Sequence, residues 1–273
     1  MAYNIIAKAS AGSSDTINVD TLAIDTTGAD LIVAAISFYG SVAPTLTDNK
    51  GNTFVSLPLY DSGGTFGSIL LYKQSPIVGT SHTFSATVGG ATYLSIAVLA
   101  LSGSIASPFD VGNGNDGGGA SSTTIQTGSV TPGFSNELVV AAISGGDSIS
   151  SIDSGFTIQE NVAHLPSFHV AVAIATLIQT SPASTNPTWT LASSTQRSAT
   201  IASFKSLAVS VNEGRITQIA QEVIGGSPDA NISQISQQIV GGSPNANVSQ
   251  VTQLTIQQRY TDELTCIIVV QWL

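Results

Sequence analysis

Basic residues are scarce in this chain. It has seven Lys and Arg against seventeen Asp and Glu, which gives a formal net charge of −10. Proteins that bind nucleic acid neutralise backbone phosphates with clustered Lys and Arg side chains. Seven such residues spread over 273 positions cannot form a patch of that kind. The sequence therefore predicts no binding to DNA or RNA.

Cysteine and long apolar runs are also nearly absent. Cys266 is the single cysteine, which excludes an intrachain disulfide and a cysteine-rich zinc site. No run approaches the roughly 18 apolar residues that a membrane-spanning helix needs. The first residues, MAYNIIAKASAGSS, lack the basic and apolar regions of a secretory signal. We therefore expect neither membrane insertion nor a signal peptide at this end.

Short β-branched apolar runs and hydroxyl-bearing residues make up the rest of the chain. Charged residues are 9% of the total, against about 25% in ordinary globular proteins, and apolar residues are 42%. Strand-like runs such as LIVAAISFYG alternate with turn-like Gly, Asn, Ser and Pro clusters over residues 1–207. No stretch there has a sustained helical period. The sequence predicts an all-β protein.

Two segments of the chain nearly repeat one another. LIVAAIS occupies residues 31–37, LVVAAIS occupies 138–144, and each half ends in a similar strand pattern. This indicates an internal duplication of units of about 100 residues, in the size range of β-sandwich domains. We predict a duplicated antiparallel β-sandwich, jelly-roll or Ig-like, with halves at 1–103 and 104–207. The halves could be tandem sandwiches or two parts of one large sandwich.

A 16-residue repeat follows, in a tail that we place at residues 208–273. The copies read RITQIAQEVIGGSPDA from Arg215 and NISQISQQIVGGSPNA from Asn231, and a partial third copy begins at Asn247. A fixed period indicates one structural unit used repeatedly. The spacing of the apolar residues allows a short helix. The Val and Thr residues of the third copy favour strands.

The tail is predicted to be an assembly interface. Two or three short strands with mixed faces bury too little apolar area to be stable alone, and the final run LTCIIVVQWL adds apolar residues. We expect contacts with copies of the same chain, or with a neighbouring protein. The alternative is a short meander folded back on the preceding domain. The predicted interface residues are Ile219, Ile235, Val251, Ile267, Val269 and Trp272.

Two polar loops carry side-chain oxygens of the kind that bind metal ions. Asp48, Asn49 and Asn52 offer oxygen ligands, but they lack the spacing and closing Glu of a calcium loop and suit a hairpin turn equally well. A second set in the Gly-rich segment offers oxygen ligands for Ca²⁺ or forms a flexible solvated loop; it comprises Asn113, Asn115 and Asp116. We favour the turn and the loop, and we predict no metal and no cofactor.

The candidate catalytic residues do not form a recognisable set. The histidines are His82, His164 and His169, and we expect them to be exposed or half-buried. No GxSxG motif is present. Asp153 and Glu160 flank one strand, but a glycosidase pair needs carboxyls about 5 to 10 Å apart, which the sequence cannot establish. The sequence predicts a protein that is not an enzyme.

Several aromatic side chains could either stack on a sugar or fill the core. Strand alternation places most of them in the core, and we favour that interpretation. They are Tyr39, Tyr60, Phe66, Tyr72, Tyr93 and Trp189.

The order of motifs resembles a known group of proteins. TDNKGNTF, LALSGSIASPFD, SNELVVAAIS…SGFTI and ASFK follow one another as in Ser/Thr-rich β-sandwich domains of bacterial surface and phage-associated proteins, over roughly residues 10 to 206. The Thr/Ser-Gln repeats resemble C-terminal segments of phage tail-fibre and other virion proteins. The resemblance implies a structural virion component, such as a head decoration, fibre or tail-associated protein, made in the host cytoplasm. Its partners would be neighbouring virion proteins and host-surface glycans. The alternative is an extracellular or cell-surface adhesin or carbohydrate-binding module of bacteria.

Overall fold

The structure, a computed structural model, describes residues 3–163, 170–207, 251–257 and 265–271. In these residues the chain forms seventeen β-strands and one short 3₁₀ turn at Gly117–Gly119. Every strand pairing is antiparallel. The predicted all-β class is confirmed.

The first half of the chain contains seven strands. They are β1 (Asn4–Asp20), β2 (Leu31–Tyr39), β3 (Thr45–Asp48), β4 (Val55–Ser56), β5 (Tyr60–Asp61), β6 (Phe66–Gln74) and β7 (Phe84–Ser102). The main sheet has the order β1-β7-β2-β6-β4, and β5 also pairs with β6. β1 and β7 are long enough to take part in two layers. The start of β1 pairs with the end of β7 in the main sheet. The end of β1 pairs with the start of β7 in a second layer, the outer layer, where β3 also pairs with β7.

The second half repeats this order with eight strands. They are β8 (Ser104–Asn115), β9 (Ser122–Gln126), β10 (Glu137–Gly145), β11 (Ile149–Ile152), β12 (Thr157–Val162), β13 (Ala171–Gln179), β14 (Thr188–Thr195) and β15 (Arg197–Ser206). The main sheet runs β12-β13-β10-β15-β8, and the outer layer runs β11-β14-β9. β8 and β9 thus correspond to the two parts of β1, while β14 and β15 correspond to the two parts of β7.

Three apolar cores separate the layers. One lies between the main sheet and the outer layer of the first half, one lies in the same place in the second half, and the third joins the two main sheets. β2 serves two of them, because Leu31 and Val33 face the second half while Ile32 and Ala34 face the outer layer. Burial on both faces explains why its sequence is an unbroken apolar run rather than an alternating one.

Equivalent serines of the two halves meet at one end of the shared core. Ser37 of β2 and Ser144 of β10 occupy the same position in their sheets, and their Oγ atoms are 2.5 Å apart. Ser95 donates to the carbonyl of Val170 at 2.9 Å, and its counterpart Ser198 donates to the carbonyl of Phe66 at 2.8 Å. Reciprocal contacts of this kind define a self-complementary, isologous interface. The halves therefore pack on one another as the two subunits of a symmetric dimer do.

This serine pair gives a first prediction. Ser37→Ala leaves the buried hydroxyl of Ser144 without its partner, so we expect a loss of about 1–3 kcal/mol in the free energy of unfolding. The double variant Ser37→Ala/Ser144→Ala removes both polar groups and should cost less than the sum of the single changes. Urea unfolding measures each term. Pairing Ser37→Ala with the exposed Ser56→Ala is the control, and strict additivity in the buried pair contradicts the prediction.

The turn residues Asp48, Asn49 and Asn52 suit a hairpin within TDNKGNTFVSL, but that hairpin does not form. The turn itself is present, but β3 pairs with β7 in the outer layer while β4 pairs with β6 in the main sheet. The chain therefore crosses between layers at this turn, and Asp48 joins the turn to the segment that contains His82.

The chain divides into two compact units, Met1–Ala208 and Val209–Leu273. In the second unit the structure describes β16 (Val251–Gln257) and β17 (Thr265–Gln271), which form a two-stranded antiparallel sheet. β16 belongs to the third repeat copy. The first two copies lie outside the described residues.

Candidate functional site

The predicted assembly interface falls only partly within the described residues. Pairing of Gln253 with Val269 and of Thr255 with Ile267 sets the register of β16 and β17. Because positions alternate along a strand, Val251, Ile267 and Val269 belong to one face of this small sheet. The remaining predicted interface residues, Ile219, Ile235 and Trp272, lie outside the described residues. The interface therefore stays a prediction.

A buried polar network occupies the loop end of the first half. His82 is 0% exposed, so the expectation of an exposed or half-buried histidine is wrong at this position. Its Nε2 lies 2.9 Å from Oδ2 of Asp48 and its Nδ1 lies 2.8 Å from Oγ1 of Thr26. The imidazole stacks on Phe84 with ring centroids 4.3 Å apart. The other two histidines, His164 and His169, lie outside the described residues.

Asp48 is the centre of this network. Its Oδ1 accepts the backbone N–H groups of Lys50 and Asn52, and its Oδ2 also accepts the side-chain amide of Asn52 at 2.7 Å. Burial by itself raises the pKa of the Asp48 carboxyl, but the hydrogen bonds from Asn52 and His82 outweigh it and hold that pKa below its usual value. Asn49 accepts from the N–H of Thr83. The turn interpretation of these residues is thus confirmed.

The order Thr26–His82–Asp48 has the connectivity of a nucleophile, base and acid. The hydroxyl of Thr26, however, is buried and engaged on both sides: it donates to the carbonyl of Gly79 and accepts its N–H. A substrate cannot reach that oxygen without unfolding the loops. The network therefore ties three loops together, and its geometry is structural.

The Gly-rich segment is more ordered than a solvated loop. Asn113 and Asn115 belong to β8, which pairs with β15, so the loop interpretation is wrong for these two residues. Their side-chain amides donate to the carbonyls of Ser129 and Gln126 at 2.9 and 3.0 Å. Asp116 caps the 3₁₀ turn through the N–H of Gly118. These contacts fix the crossing from β8 to β9.

Asp153 and Glu160 have separate structural partners. Asp153 accepts the N–H of Thr188 at 2.7 Å and so anchors β14. Glu160 accepts the hydroxyl of Ser10 at 2.6 Å and lies 3.5 Å from Nζ of Lys8. It thereby joins β12 to β1 at the edge between the two main sheets. Among the described residues, the two carboxyls have no hydrogen-bond partner in common.

The aromatic residues divide between core and surface. Phe66, Tyr72 and Trp189 are buried in apolar cores, as predicted. Tyr39 is 45% exposed, and the rings of Phe66 and Tyr93 hold it edge-on at centroid distances of 5.6 and 6.1 Å. Half-buried Tyr60 covers Gly114, where a Cβ atom would lie 2.2 Å from the ring.

Sequence reasoning missed a group of ionisable side chains at the opposite end of the second half. Glu137 is 0% exposed, and its Oε1 accepts the N–H of Phe134 at 2.8 Å. Asp110 accepts the N–H of Gly133 at 2.8 Å, and Nζ of Lys205 lies 3.8 Å from its Oδ1. Burial raises the pKa of Glu137, and the nearby charge of Asp110 adds to this. The available signal was an acid placed directly before a fully buried run, LVVAAIS.

Two general findings concern binding groups. Within the ranges that the structure describes, no three His, Cys, Asp or Glu side chains are grouped so that they could hold a metal ion. In the same ranges no helix has the length and apolar character required to cross a bilayer.

Comparison with known proteins adds no family assignment. No family model matches the chain, and neither curated proteins nor solved structures yield a significant match.

Proposed function

We propose that this chain is a structural protein of a phage virion, a head decoration, fibre or tail-associated component assembled in the host cytoplasm. In this proposal residues 1–207 are a duplicated β-sandwich, jelly-roll or Ig-like, that is displayed. The C-terminal repeats assemble the protein, through copies of itself or through a neighbouring virion protein.

The observation that carries the proposal is the division of the chain. Met1–Ala208 and Val209–Leu273 are separate compact units, and the described strands of the first unit enclose its three apolar cores. The repeat therefore belongs to a unit of its own, in which apolar positions recur every 16 residues. A repeated segment attached to a self-sufficient domain suits association between chains.

The interior of the first unit supports a role without catalysis. Its Thr–His–Asp arrangement is sealed, and its turn and strand-end polar residues hold loops in place. The sequence composition agrees, because a weakly charged, hydroxyl-rich chain suits a surface that is displayed rather than one that processes a charged substrate.

The test places charge in the proposed interface. Ile235→Asp/Val251→Asp would bury unpaired carboxylates between subunits, so the wild-type oligomer should dissociate while residues 1–207 stay folded. Light scattering measures the mass, and near-UV circular dichroism follows the fold. Gln234→Asp/Gln250→Asp is the matched control, because it adds the same charge one position earlier in the same repeats.

Two results would count against this proposal. One is a wild-type protein that is monomeric at high concentration and does not join particles through this segment. The other is equal dissociation by the control pair, which would show a general effect of charge. Incorporation into particles, measured by co-sedimentation, then separates a virion component from a self-associating protein of another kind.

The rival function is an extracellular adhesin or carbohydrate-binding module, and one observation favours it. The ring of Tyr39 is exposed and held in a fixed orientation by two other aromatic rings, which is how proteins present a stacking surface. Binding on a glycan array without association with particles would support this rival over the virion role.

A further inference from the structure

Three neighbouring strands bring one amine and two carboxyls together. β15 lies between β8 and β10 in the main sheet of the second half, and it carries Lys205. Asp110 is on β8 and Glu137 is on β10. Nζ of Lys205 is 3.8 Å from Oδ1 of Asp110 and 5.5 Å from the centroid of the Phe134 ring.

Glu137 has an unused acceptor in this group. It is fully buried, and among the described residues neither its Oε2 nor the Ser203 hydroxyl makes a hydrogen bond of standard geometry, although Ser203 is close enough to lower the pKa of Glu137. A buried carboxylate oxygen left unpaired is costly, and native structures rarely keep one without a reason. Burial raises the pKa of the Glu137 carboxyl, which favours proton uptake by this group.

The first half has an acid at the position of Glu137 but no lysine at the position of Lys205. By strand register, Asp30 corresponds to Glu137, and Ser102 corresponds to Lys205. Both oxygens of Asp30 accept backbone N–H groups, from Gly103 and Ser104. Both carboxylate oxygens of Asp30 are therefore hydrogen-bonded. At the matching position in the second half, Oε2 of Glu137 is not.

We propose that Lys205 and Asp110 form an intramolecular amide cross-link, with Glu137 as the proton-transfer group. Glu137 takes a proton from the Lys205 ammonium, and the free amine attacks the carboxyl carbon of Asp110. The new C–N bond forms and one C–O bond of Asp110 breaks. The leaving oxygen departs as water, with one proton returned by Glu137 and the second released by the attacking nitrogen. The net change converts one ammonium and one carboxylate into one amide and one water, with no oxidant or other reactant.

The fold supplies the driving factors for this step. Strand pairing holds the two reacting groups at near-contact distance, which replaces a bimolecular encounter by an intramolecular one. The product removes two partly buried charges from beside a third. It also joins the first strand of the second half to its last, and closing so long a loop restricts the unfolded chain.

Intact-mass spectrometry of the full chain tests the proposal. The wild type should be lighter than its sequence mass by one water, and Asp110→Ala, Lys205→Arg and Glu137→Gln should each have full sequence mass. Lys8→Arg is the matched control, since Lys8 pairs with Glu160 at 3.5 Å but is more exposed, and this variant should keep the wild-type loss. Near-UV circular dichroism establishes that each variant is folded.

A tryptic map of the wild type gives a result that does not depend on any variant. Cleavage after Lys205 should be absent, and one fragment should join the peptides that contain residues 110 and 205. A wild-type mass equal to the sequence mass after prolonged incubation, with cleavage after Lys205, overturns the cross-link. Loss of water in folded Glu137→Gln overturns the role of that acid.

Discussion

Replacing Asp48 with alanine is expected to lower the free energy of unfolding by about 3–5 kcal/mol, since it breaks a buried network at its centre. The change removes the acceptor for His82 and for two groups of Asn52, all of which stay buried or nearly so. The loops tied together by these bonds would lose their fixed arrangement. Urea unfolding of the variant and the wild type measures the difference.

The pH dependence of the free energy of unfolding of the wild type also reports the contribution of Asp48. A carboxyl whose pKa is lowered by folding stabilises the folded state above its unfolded pKa, and this contribution is lost as pH falls towards the folded pKa. This part of the acid destabilisation should begin at about pH 4. Asp48→Ala should lack it and should keep only the contributions of other acids whose pKa is lowered, such as Asp153. Asp25 is the control: it also accepts a backbone N–H, from Thr27, but it is exposed, and Asp25→Ala should change stability little. Equal effects of the two variants would contradict a special role for Asp48.

The sequence was most informative where burial is simple. LIVAAIS and LVVAAIS predicted strands at equivalent places in two halves, and β2 and β10 occupy corresponding central positions in the two main sheets. An apolar run without alternation can only be covered on both faces, and the layered arrangement covers both. The class of fold thus follows from local pattern.

The local sequence pattern did not predict which strands a turn connects or whether a single polar side chain is buried. TDNKGN has good turn residues, but which strands a turn joins depends on pairings with β6 and β7, which are distant in the chain. His82 follows the same logic. The sequence predicts an exposed or half-buried side chain, but His82 is buried because Thr26 and Asp48, 56 and 34 residues away, meet its two nitrogens.

The candidate sites show a similar limit. Glu137, Asp110 and Lys205 are far apart in sequence, and only the order β8-β15-β10 brings them together. The repeat was recognisable because its signal is periodic and local. The predicted interface in the tail rests on that period, and the described strands add the register of its last two segments.

The shared core between the main sheets has a consequence for folding of the whole first unit. Val33 and Leu99 of the first half pack in one cluster with Val140 and Phe204 of the second. An interface of this apolar, closely packed kind resembles a domain core, and we infer that neither half unfolds alone. Met1–Ala208 should therefore melt in one transition.

Leu94→Ala tests this inference at a distance. Leu94 is fully buried in the outer core of the first half, and the cavity left there should cost about 2–5 kcal/mol. Trp189 lies in the outer core of the second half, and in a Trp272→Phe background its fluorescence reports that half. If Met1–Ala208 unfolds as one cooperative unit, Leu94→Ala should shift the unfolding midpoint reported by Trp189 fluorescence as far as the midpoint measured by circular dichroism. Leu22→Ala, at an 83% exposed position, should leave it unchanged. A Trp189 transition that stays at its wild-type midpoint in Leu94→Ala would show that the halves unfold independently, and that their contact is an interface between two domains rather than a common core.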